Sequence, residues 1–224
     1  MSAKGEHDRI LAAAARAELI PLGFWRKGRS RLWLADRGFW LAVVEFQPSG
    51  FSKGSYLNVA AYWLWSAQPH YLTFSYSLDR QKPWIAFENA EQFTPLAEAL
   101  ARQAAEESRQ LQSLFADIRS TAATLIAEED AFANAGRGGG WPAFDAAVAS
   151  GLAGEMGTSR KLFGDAYDSL VDWRPDFAPL LAPYAVTIAK EASFRAFIEQ
   201  RIHEQRARYG LGDFNGLSGQ SDGC

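Results

Sequence analysis

The run Phe39-Trp40-Leu41-Ala42-Val43-Val44-Glu45-Phe46-Gln47 is apolar at odd and even positions alike until Glu45. Successive side chains of a strand point to opposite faces, so a strand of this composition must be covered on both. The rest of the chain therefore has to supply flanking strands and covering helices. Strand texture, short aromatic and β-branched runs broken by turn residues, extends from Phe24 to Phe87. It predicts strands over 23–28, 31–36, 39–47, 55–65 and 71–78. Asp36-Arg37-Gly38 marks a tight turn, and Pro48-Ser49-Gly50 with Lys53-Gly54 a longer loop. Connections this short pair strands antiparallel.

Helical spacing surrounds that region. Ile10, Ala13, Ala14, Ala17 and Leu19 group along one side of a helix over 6–20, closed by Pro21 and Gly23. After the strands, Thr94-Pro95 reads as an N-cap with proline at the first helical position, and apolar residues follow at helical spacing to Ile126. A straight helix over that span would be about 50 Å long, so a break is expected near Glu106-Glu107-Ser108. The Gly136–Gly140 run reads as a hinge, and further helices are expected over 142–153, 159–171 and 184–209. In the last, Ile188, Ala192, Phe194, Phe197, Ile198 and Ile202 should turn inward. The expected fold is α+β: a small antiparallel sheet with an N-terminal helix and a helical C-terminal half packed against it. One domain over 1–210 is expected, sheet-rich over 22–87 and helical over 92–209, followed by a disordered tail over 211–224.

Composition removes several function classes. The net charge of −3 gives no general attraction to nucleic acid or anionic lipid, and no apolar window is long enough to span a membrane. The first residues carry Lys4, Glu6, His7, Asp8 and Arg9 rather than the apolar core of a secretory signal, which predicts a cytoplasmic location. A single cysteine, Cys224, excludes an intramolecular disulfide and any multi-cysteine metal site. His203 and Glu204 are adjacent and diverge on a helix, and Asp165, Asp168 and Asp172 lack a glycine-centred loop, so no metal site and no cofactor is expected. Gly216-Leu217-Ser218-Gly219 misses the spacing of a nucleophile elbow.

One polar constellation stands out. Arg26 and Arg31 lie in the first hairpin, Glu45 and Gln47 on one face of the apolar strand, and Asn58 beside Tyr56 and Tyr62 on the next. A carboxylate among apolar residues needs a cation or donors, so Glu45 is expected to meet Arg26 or Arg31. Such a group is either a structural ion pair or a polar ligand-binding cluster. The arginines interleaved with Trp25, Trp33 and Trp40 could also stack on bases, but strand alternation divides them between two faces.

Leu22-Gly23-Phe24, Lys27-Gly28, Val43-Val44-Glu45-Phe46-Gln47 and Tyr56-Leu57-Asn58-Val59 resemble, in order and spacing, the bacterial family labelled domain of unknown function 4304. The resemblance covers residues 8–65 well and the helical part loosely, with Glu45 standing where the pattern has a small polar residue such as Asn. It implies a small antiparallel sheet with flanking helices and transfers no activity. Crowding of 16 of the 30 aromatics into residues 24–87, without a catalytic constellation, points to a non-catalytic module that binds another protein, a toxin-neutralising role being one form. The alternative is a small-ligand receptor or enzyme using Arg26, Arg31, Glu45, Gln47 and Asn58.

Overall fold

A computed structural model describes residues 5–68, 72–78, 84–214 and 216–217. Among these the chain forms a five-stranded antiparallel sheet and seven α-helices, an α+β fold with an N-terminal helix and a helical C-terminal half. The chain divides into two compact units, Met1–Tyr62 with Tyr76–Ser113, and Trp63–Ser75 with Leu114–Cys224.

The first unit opens with α1 (Glu6–Leu19), which buries Leu11, Ala14, Ala15 and Leu19 and ends in a short 3-10 turn that Gly23 closes at φ 78°. The sheet follows in chain order: β1 (Trp25–Arg26), β2 (Leu32–Asp36), β3 (Trp40–Gln47), β4 (Gly54–Trp63) and β5 (Ile85–Ala86). Trp25 pairs with Leu34 and Leu34 with Val43, so these three share a face. Trp40 to Val44 are each no more than 1% exposed, the two-faced burial their composition demands.

Two strand expectations change. Within 71–78 only Tyr76 joins the sheet, through a single bridge to Ala61; residue 71 lies outside the described residues. Phe74 and Leu78 stay exposed, and the Thr73 and Ser75 hydroxyls bond each other, so this segment buries too little to extend a ladder. The outer strand is instead Ile85–Ala86, paired with Ser55 and Gly54.

Helix α2 (Ala90–Leu114) runs through both the expected start and the expected break. Asn89 Oδ1 accepts from Gln92 N at 2.9 Å and caps the helix upstream of Thr94-Pro95. At the expected break, Ser108 Oγ donates to the Ala104 carbonyl and Glu107 accepts from Gln103, so these polar groups are satisfied within a continuous helix. The interruption comes at Asp117, whose Oδ1 accepts from Arg119 N and Ser120 N at 2.8 Å while Ser120 Oγ accepts from Asp117 N. That reciprocal capping box starts α3.

The second unit is helical: α3 (Ile118–Asn134), α4 (Gly140–Leu152), α5 (Met156–Trp173), α6 (Ala178–Thr187) and α7 (Glu191–Tyr209). The expected helix over 184–209 is thus two helices, and Ala192 is exposed while Phe194, Ile198 and Ile202 are buried. Every residue of α4 from Ala143 to Leu152 is buried, which makes it the axis of this unit. Gly151 allows the closest approach there: a Cβ would run into the Phe194 ring and stand 2.8 Å from Ser159 Oγ, which itself donates to the Ala147 carbonyl. Gly151→Ala is therefore expected to destabilise the protein by about 1–3 kcal/mol, read from urea unfolding.

The first residues of the expected tail dock. Phe214 is buried, its ring 5.7 Å from that of His203, and Arg206 Nε donates to the Gly212 carbonyl at 2.9 Å. An apolar ring close to the end of α7 has a surface to land on, which composition alone does not reveal. Residues 218–224, Cys224 among them, lie outside the described residues. No helix among the described residues is long and apolar enough to cross a membrane.

Candidate functional site

Three of the five residues singled out in the sequence come together. Asn58 Nδ2 donates to Glu45 Oε2 at 3.1 Å and to Gln47 Oε1 at 2.9 Å. Period-2 alternation carries this group along one face. On β3 that face passes from buried Val43 to half-buried Glu45 and exposed Gln47, and on β4 from buried Tyr62 and Ala60 to half-buried Asn58 and exposed Tyr56. One end of the face is covered and the other is open. Tyr56 packs on Trp84 with ring centroids 4.7 Å apart, and Trp25 shares the face through its register with Leu34 and Val43.

The two arginines do not join. Arg26 donates from Nε to the Ser30 carbonyl at 2.5 Å and from Nη2 to the Arg29 carbonyl, so it closes its own hairpin. Burial, then the charge of Arg16, lowers its pKa below the usual guanidinium value. Arg31 reaches away to Asp8 of α1, with Nη2 and Nε 2.6 and 2.7 Å from Oδ1, and donates from Nη1 to the Gly54 carbonyl at 2.8 Å. The partner of Glu45 is therefore the Asn58 amide. The Asp8 carboxylate in the first turn of α1 and the Gly54 carbonyl at the start of β4 give Arg31 its acceptors. Because a glutamine oxygen accepts the same Asn58 bond, Glu45→Gln is expected to change stability by less than about 1 kcal/mol in a denaturant titration.

Two arrangements were not legible as sites. A cleft of about 340 Å³ lies beside the start of α1, lined by His7, Arg31, the β3–β4 loop over 48–53 and Gly54 at the start of β4. The loop reads in sequence only as a turn, and its meeting with Arg31 is a matter of hairpin geometry. In the second unit, Asp145 of the buried α4 accepts from Trp65 Nε1 at 3.1 Å, and Tyr184 donates its hydroxyl to the Trp65 carbonyl at 2.7 Å. Burial pushes the Asp145 carboxyl up to about 8 against the opposing Trp65 bond, and burial also raises Tyr184 to about 12. A lone acid in an otherwise apolar helical run is the signal that could have found it. Among the described residues no three His, Cys, Asp or Glu side chains are placed to hold a metal ion.

The chain matches no protein-family model, no curated protein and no solved structure.

Proposed function

We propose that the protein is a non-catalytic cytoplasmic module that binds another protein through the open end of its sheet face. The observation that carries this reading is the pairing of exposed aromatics with a self-satisfied polar network. Trp25 and Tyr56 are 36% and 39% exposed, and the Glu45–Asn58–Gln47 bonds sit on strands between and beside them. Trp25 lies in the row of Leu34 and Val43 and Tyr56 beyond the row of Gln47, so three strand spacings of about 14 Å laterally and a further offset along the strands separate them, within the span of one protein interface. Large rigid rings bury area at little entropic cost, and the amide and carboxylate groups keep lone pairs and protons for a partner. The small-ligand alternative loses the cations it would have used, since Arg26 and Arg31 serve the hairpin and α1. A toxin-neutralising role is one form of the same reading.

A photo-crosslinking amino acid placed at exposed Gln47 should yield a discrete protein adduct in the source cells, and one placed at Val186, which is 79% exposed on α6, should not. Equal labelling at both positions, or none at Gln47, would reject the assignment of this face.

A further inference from the structure

We propose that the cleft between the start of α1 and the β3–β4 loop is a binding site for a small phosphate monoester, with Arg31, Lys53 and the serine hydroxyls holding the phosphate and Phe51 lying against the organic group. It goes beyond the sheet-face reading and stands on different residues. Arg31 is pre-positioned: Asp8 and the Gly54 carbonyl fix its guanidinium, and its remaining N–H groups are left for an anion. Lys53 is exposed at the cleft and its ammonium has no partner among the described residues. Asp8 offsets one of these two cations, so the cleft keeps a positive balance. Ser49 Oγ accepts from Phe51 N at 3.0 Å, which leaves its own proton to donate, and Ser52 adds a second hydroxyl. Donors of three kinds around one open volume suit the three terminal oxygens of a phosphate dianion better than the two of a carboxylate. Phe51 is fully exposed on the rim, a large ring that no described residue covers.

His7 reports on the same volume. Its ring lies 5.4 Å from Phe87 and its Nε2 is 3.9 Å from Asp8 Oδ1. Its pKa is lowered, first by burial and also by Arg31 and Lys53, against the pull of Asp8. A dianion seated between those cations would reverse their effect and raise it.

The test is an NMR titration of the full chain with phenyl phosphate, inorganic phosphate and phosphatidic acid vesicles at constant ionic strength. Amides of residues 49–54 and the His7 ring protons should shift saturably with phenyl phosphate, with a Kd on the order of 1 mM or below and a raised His7 pKa. Lys53→Ala should weaken binding about fivefold, and Phe51→Ala should remove the preference for phenyl phosphate over inorganic phosphate. Both side chains are exposed, so the variants should keep the wild-type thermal midpoint. Absence of saturation, a response unchanged in Lys53→Ala, or binding to vesicles without binding to phenyl phosphate would overturn the proposal. Loss of the Gln47 crosslink has no bearing on it.

Discussion

Asp145→Asn should become more stable relative to the wild type as pH rises from 4 to 8, by a few kcal/mol over that window. The side chain sits in the buried face of α4 with the Trp65 indole N–H as its donor, and burial holds its carboxyl near 8 in the folded protein. In the unfolded chain the same group ionises near its ordinary value of 3.8. Between these values the native state binds the extra proton, so stability falls as pH rises through the window and levels off above it. Asparagine keeps the oxygen that accepts from Trp65 and carries no charge to desolvate. The measurement is urea unfolding of both proteins at pH 4, 6 and 8. A difference that grows steadily with pH is the expected result, and a pH-independent difference would mean that Asp145 is solvated or ion-paired.

Trp63→Ala is the second large effect, a loss of about 3–5 kcal/mol by the same titration. Trp63 is fully buried, stacks on Trp65 with centroids 5.0 Å apart and planes 9° from parallel, and meets Phe115 edge-on at 4.9 Å. Removing it leaves a void lined by two rings that cannot close it without leaving their own contacts. An unchanged midpoint would show that this aromatic stack does not hold the second unit together.

What could be read from the sequence follows from how local each signal is. The apolar run over Trp40–Gln47 forms the central strand because no other element tolerates its pattern, and Trp33, Trp40, Val43 and Trp63 are all buried. The α2 boundaries differ from expectation because capping is decided by one side-chain oxygen, Asn89 or Asp117, and the helix carries Pro95 in its second turn at the loss of one backbone hydrogen bond. Two-residue strands such as Ile85–Ala86 carry no periodicity to detect. In the site, the meeting of Glu45, Gln47 and Asn58 was readable from alternation on neighbouring strands. The departure of Arg31 to Asp8 was not, because it joins residues 23 positions apart through the placement of a helix on the sheet. Asp145 and Trp65, 80 positions apart, are hidden for the same reason.

Binding through the open sheet face should be separable from folding. Trp25 and Tyr56 are 36% and 39% exposed and Tyr56 stacks on Trp84, so replacing both by alanine should lower the thermal midpoint but leave the protein folded, because neither ring belongs to the fully buried core. The decisive measurement is the yield of the protein adduct formed from a crosslinker at Gln47 in the Trp25→Ala/Tyr56→Ala background. An interface on this face requires the adduct to disappear while the variant still unfolds cooperatively. An undiminished adduct in a stably folded double variant would contradict it.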